Sequence, residues 1–216
     1  LPPETYRTVE RPTGQGRAPL FALPDRSVAG ACAMAVGITL AEGAIYDWGT
    51  LYMREVMAAS PFMAGAGYAI FALSMAAGRF GGDIVRARFT APAIVRGCAF
   101  ATGVGLVLLV NAPSVAVACL ALALMGGGVS LVFPIAVTAV AARSGSSAAA
   151  NLAGLTLAVM TSLLIAPPAI GFLGHSFGLA AALLSTLPFV ILTGLLAGQA
   201  RAEPDAPGLS STAERA

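Results

Sequence analysis

Lysine is absent from this 216-residue chain, so all 12 of its basic residues are arginine. Charge of either sign is scarce. Only 10% of residues are charged, against roughly 25% in soluble domains, which disfavours an ordinary water-soluble globule. A net charge of +2 is too small to support a nucleic-acid surface, and no nucleic-acid partner is expected. There is one histidine, His175, and three cysteines, Cys32, Cys98 and Cys119, with no CxxC or Cys/His spacing among them. That supply of ligands argues against a metal site and implies no disulfide. The cysteines read as small membrane-buried side chains. No HExxH, GxSxG or Walker-type loop is present, so hydrolase and ATPase chemistry has no support; neither an enzyme nor a cofactor is expected. The first 26 residues are polar and proline-rich and contain no signal peptide; they read as the middle of a longer protein.

Apolar sequence fills the rest. Hydrophobic residues make up 57% of the chain, and the mean hydropathy is +0.84. Six runs, at about Val28–Leu51, Phe62–Phe80, Pro92–Val110, Val115–Ala142, Ala148–Leu173 and Leu179–Gly198, are apolar on all faces, as lipid-embedded helices must be. Each is long enough to cross a ~30 Å hydrocarbon core. The arginines are unevenly placed. Arg7, Arg11, Arg17 and Arg26 precede the first run, Arg79, Arg86 and Arg88 fall between the second and third, Arg143 between the fourth and fifth, and Arg201 and Arg215 after the sixth. The alternate junctions hold only Arg54. The positive-inside rule then predicts an all-α membrane protein of six transmembrane helices with both ends in the cytoplasm. Residues 1–26 are expected to be a mostly disordered cytoplasmic loop, 27–199 the transmembrane domain, and 200–216 a disordered cytoplasmic tail. Helix breaks are expected around Gly128 and Pro134 in the fourth run and at Pro167 and Pro168 in the fifth. Dense glycine, alanine and serine favour close helix packing.

Intramembrane charge is rare and marks candidate sites. Glu42 lies about 14 residues, or ~21 Å, into the first span. A charged carboxyl is costly there, and it reads either as a cavity-facing proton or solute carboxylate or as a group satisfied by neighbouring hydroxyls and backbone. Helical spacing puts Tyr46, Gly49 and Met53 on its face. Asp47 is expected either to pair with Arg54 at the membrane edge or to serve transport. Trp48 is either an interfacial anchor or a stacking platform for solute. Arg96, about a turn into the third span, is expected to snorkel towards headgroups. Asn151 and Ser162 are candidates for a polar path along the fifth span, against helix-internal hydrogen bonding. After the second run, Gly78-Arg79-x-x-Gly82-Asp83-x-x-Arg86-x-Arg88 combines glycines that permit a tight turn with a network of charge at a helix end, and reads as a conformational latch.

That stretch resembles the loop motif between the second and third helices of each half in the major facilitator superfamily (MFS), although no arginine follows Asp83 directly. Gly126-Gly127-Gly128-Val129-Ser130-Leu131-Val132-Phe133-Pro134 is similar to the Gly-rich, Phe-Pro-containing fourth helix of the C-terminal half, as in sugar-permease and fucose-permease-like members. Ala166-Pro167-Pro168-Ala169-Ile170-Gly171-Phe172 resembles that half's fifth helix. The resemblance implies a C-terminal half built as a three-plus-three inverted repeat, with the first span lining a central cavity. It implies a secondary transporter of the inner membrane that moves a small polar solute by alternating access, with proton coupling through Glu42. Its expected partners are membrane lipid, the solute and an N-terminal six-helix half. The alternative is a non-transporting six-helix protein: an assembly factor, a receptor or a degenerate half-transporter.

Overall fold

A backbone inside lipid has no water to bond, so each polar group must be satisfied within its own segment, and helices follow from the apolar runs. The computed structural model describes residues 26–143 and 147–201, and no strand occurs among them. The expected loop over 1–26 and the tail after Arg201 otherwise lie outside the described residues. The six spans begin with α1 (Arg26–Glu55), α2 (Pro61–Phe80), the short α3 (Gly82–Arg88) and α4 (Ala91–Val110). The fourth span is α5 (Val115–Val129) followed by α6 (Val132–Ala141), and the fifth is α7 (Ala148–Phe177). The sixth comprises α8 (Leu179–Leu184), α9 (Leu187–Leu195) and a 3₁₀ turn, Leu196–Ala200. Among the described residues, six helical segments are long and apolar enough to cross a membrane. This is an all-α membrane protein.

Serine hydroxyls set three of the starts. Ser60 accepts from the Met63 N–H, Ser114 from Val117 and Ser147 from Ala150, each filling one of the donors orphaned at a helix N-terminus. Pro61 follows Ser60 where no N–H is needed. The end of α7 is set by Gly178, whose φ of 85° is the left-handed conformation glycine adopts without steric cost.

Three expectations need correction. The connector after α2 is not a tight turn. Gly81 has φ −78°, its N–H bonds back to Ala77, and the chain passes directly into α3. The fourth span is interrupted at Ser130–Leu131, after Gly128 rather than at it. Pro134 has no N–H to offer the Ser130 carbonyl four residues back, so the ladder fails there, while the Ser130 hydroxyl donates to Gly127 O at 2.7 Å. In the fifth span α7 runs unbroken through Pro167 and Pro168, because proline's fixed φ fits a helix even where its ladder bond is lost. A further break, not among those expected, falls at Ser185–Thr186, upstream of Pro188. There the Ser185 and Thr186 hydroxyls donate to Ala182 O and Leu183 O at 2.6 and 2.8 Å.

Packing is organised around two spans. α1 packs against α7 and α9, and α5 packs against α2 and α4, while α4 also meets α9. Glycines permit the closest approaches. A Cβ at Gly126 would run into Phe71 O of α2, and one at Gly128 into the Thr102 hydroxyl and backbone of α4. Gly128 is therefore a packing residue, not a hinge. Across α1 and α9, the Thr193 hydroxyl donates to Met34 O at 2.9 Å.

Candidate solute and ion site

One face of α1 presents Thr39, Glu42, Gly43 and Tyr46 over two turns. Opposite them stand Phe133 and Pro134 of α6, Val159, Met160 and Leu163 of α7, and Arg79 from the last turn of α2. Together they line a cavity of about 370 Å³. Within it Arg79 Nη2 lies 3.5 Å from Glu42 Oε1. The carboxylate is mostly buried, at 15% exposure, whereas the guanidinium side chain is half exposed at 48%. This is the one ion pair among the described residues, and it joins the intramembrane acid to the first arginine of the loop motif. The Thr39 hydroxyl is occupied by its own helix, donating to Ala35 O at 3.0 Å.

Tyr46 extends the site into an aromatic group. Its ring packs edge-on to Phe71 at 5.5 Å and tilted against Tyr68 at 5.8 Å, both on α2, and its hydroxyl donates to Met75 Sδ at 3.7 Å. The tyrosine is 36% exposed, so part of its surface is left uncovered.

The other expected site residues are distributed differently. Asp47 is exposed beside this face and makes no ion pair among the described residues; Arg54, also exposed, ends α1 where a cation suits the helix C-terminus. Their expected pairing is absent. Trp48 is half-buried with its ring against Gly171 of α7, and its indole N–H has no acceptor among the described residues. It does not line the Glu42 cavity. Gly49 and Met53 are buried and also stand outside it. Asn151 is 2% exposed and its amide donates to Val140 O and Arg143 O, both at 3.4 Å. It ties α7 to the C-terminal carbonyls of α6 and is not part of a polar path, and Ser162 bonds its own helix at Val159 O. Arg143 does more than mark its loop, because Nη2 donates to Gln199 O and Gln199 Oε1 at 2.9 and 2.8 Å.

Arg79 is also separated from the rest of its motif. Asp83, Arg86 and Arg88 are exposed on α3 and form no ion pair among the described residues. The glycines of the motif provide space instead: a Cβ at Gly78 would meet the Ser130 hydroxyl, and one at Gly82 would lie 2.8 Å from Leu131 Cδ2. Thus α2 and α3 close onto the break between α5 and α6. His175 is exposed in the last turn of α7. Sequence reasoning missed Arg79 as the partner of Glu42, together with Tyr68, Phe71 and the α6 and α7 walls. Only Thr39, one turn before Glu42, was within reach of a helical-spacing argument.

No family model matches this chain. Similar curated proteins carry a consistent description. An uncharacterized MFS-type transporter of Yersinia pestis is 30% identical over 175 residues, 78% of this chain and 46% of that protein. The membrane protein MosC of Rhizobium meliloti is 29% identical over 155 residues, 72% of this chain and 37% of that protein. An uncharacterized transporter of Sinorhizobium fredii is 27% identical over 147 residues, 68% of this chain and 38% of that protein. The chain spans less than half the length of each of these relatives.

Proposed function

Because the chain belongs to the major facilitator superfamily, we propose that it forms the C-terminal six-helix half of a secondary transporter in the cytoplasmic membrane. In this reading the arginine-rich ends of the helices face the cytoplasm. An N-terminal half completes the wall of the Glu42 cavity, and the two halves rock about a small polar solute bound between them.

The Glu42–Arg79 pair carries this reading. An acid and a base face one another in a cavity among apolar helices, at 3.5 Å, with an aromatic cluster on one side. Intramembrane ionisable groups are costly and ordinarily mark ion or solute pathways. With the cavity empty, each group neutralises the other. A proton on Glu42 removes that attraction and frees the guanidinium for a carboxylate or hydroxyl of the solute; loss of the proton restores the pair and expels the cargo. Solute and proton thereby have different contacts in the paired and unpaired states, which a ligand needs in order to shift a conformational equilibrium. Tyr46 supplies an apolar ring face and a hydroxyl beside them. The test is Glu42→Gln in the complete transporter. Uptake driven by a pH gradient is expected to fall about a hundredfold or more, while solute exchange at equal pH persists. Undiminished pH-driven uptake would remove Glu42 from the coupling.

The cytoplasmic latch is the second element. Asp83 is exposed and unpaired by its own arginines, so we assign its counter-charge to the other half when the cytoplasmic side is closed. Asp83→Asn is expected to slow turnover at normal expression; wild-type turnover would exclude the latch.

A further inference from the structure

A second and larger cavity shares no residue with the Glu42 site. It is a groove of about 720 Å³ between α2 and α4, floored by α5. Its walls include Ala77 and Gly78 of α2, Gly97 and Cys98 of α4, and Leu124 and Gly127 of α5. The hydroxyls it contains are already committed: Ser74 donates to Ala123 O at 2.6 Å, and Ser130 to Gly127 O at 2.7 Å. A polar solute would find no free side-chain donor there. The groove suits a hydrocarbon chain. Along α4 it runs from Ala93 to Ala101, eight residues or ~12 Å, which is less than half of a ~30 Å hydrocarbon core. It therefore belongs to one leaflet.

The mouth differs from the walls. Val85 on α3 and Phe89, the residue that caps the end of α3, close the arginine-rich end of the groove. Arg86 and Arg88 flank that stripe, each ~80° around the helix from its centre at 100° per residue. Both arginines are exposed and neither forms an ion pair among the described residues, while Asp83 is the single carboxylate on α3. An apolar trough one leaflet deep, ending in unpaired cations, is complementary to a single kind of molecule: an amphiphile with an anionic head.

We propose that this groove is a binding site for an anionic phospholipid of the cytoplasmic leaflet. One acyl chain lies between α2 and α4, and the phosphate is held by Arg86 and Arg88. The leaflet rests on the orientation proposed above; the site itself does not. Basic pockets between transmembrane helices hold anionic headgroups by charge, and the chain adds burial of apolar surface. The bound lipid would brace α3, which carries Asp83, against α2 and α4.

Native mass spectrometry of the full-length protein, titrated with phosphatidylglycerol or phosphatidylcholine, tests this. The wild type is expected to retain phosphatidylglycerol in preference to phosphatidylcholine. The double variant R86Q/R88Q should bind phosphatidylglycerol between roughly ten- and a hundredfold more weakly, and so lose the preference. Gly97→Leu fills the trough while leaving every arginine in place. A Cβ at Gly97 meets nothing within 4 Å, so the substitution has room, and it should abolish retention of either lipid. Equal retention of the two lipids by the wild type, or retention unchanged in Gly97→Leu, would overturn the proposal. Displacement of the lipid by millimolar inorganic phosphate would also overturn it, since that would mean a headgroup site without a chain.

Discussion

A carboxylate among apolar helices needs a counter-charge, and Arg79 supplies it to Glu42 from the adjacent span. Removing one partner leaves the other exposed to a low-dielectric wall, whereas removing both leaves a neutral cavity. The half-exposed guanidinium limits the size of this effect. A double-mutant cycle of Glu42→Gln and Arg79→Gln, read by thermal unfolding in detergent, should show a coupling of about 1 kcal/mol, with the double variant less destabilised than the sum of the singles. Additive losses would mean that the two groups meet without mutual dependence. This pairing could not be read from the chain. Glu42 was visible because an acid interrupts an apolar run, but its partner is 37 positions away, and the register of two antiparallel helices decides whether they meet. Asn151 misled for a related reason. Its place in an apolar span gives polarity without direction, and only the neighbouring end of α6 shows that it satisfies carbonyls.

The helices themselves were legible to within a few residues, because length and uniform apolarity are properties of the segment alone. Their interruptions were less so. Pro134 and Pro188 coincide with breaks upstream, where hydroxyl side chains cover freed carbonyls, yet Pro167 and Pro168 interrupt nothing. Whether a lost ladder bond becomes a break depends on local partners, which spacing does not encode. The triple glycine is likewise explained by its neighbours: α5 is held between α2 and α4, with Gly126 against one and Gly128 against the other. Gly126→Ala should therefore lower stability by about 1–3 kcal/mol, since its Cβ would enter the backbone of α2. Gly65→Ala on α2, where a Cβ meets nothing within 4 Å, should be neutral or stabilise by up to ~1 kcal/mol. Thermal unfolding of the two variants separates close packing from general helix propensity. If both behave alike, the close contact at Gly126 is not a determinant of stability.

For the whole molecule, the packing has a symmetry that the sequence hides. The first span contacts the fifth and sixth, and the fourth contacts the second and third. Exchanging the first three spans with the last three leaves this pattern unchanged, and it also maps the close approach of Gly37 to α9 onto that of Gly128 to α4. The three-plus-three division is thus a property of contacts rather than of matching residues. The same arrangement brings the ends of α2, α3 and α6 and the starts of α4 and α7 to one side, with Arg79, Arg86, Arg88 and Arg143. If charge sets orientation, that side faces the cytoplasm. Single cysteines placed at Glu55, Asn111 and Ser176 should react with a membrane-impermeant maleimide in intact cells, and cysteines at Arg88 and Ala142 only after permeabilisation. All five positions are exposed, and the native Cys32, Cys98 and Cys119 are buried, so the background should be low. The reverse labelling pattern would invert the molecule, moving Asp83 and the mouth of the lipid groove outside. That would refute the cytoplasmic latch while leaving the Glu42–Arg79 cavity intact, because the cavity depends on which helices meet and not on which way they face.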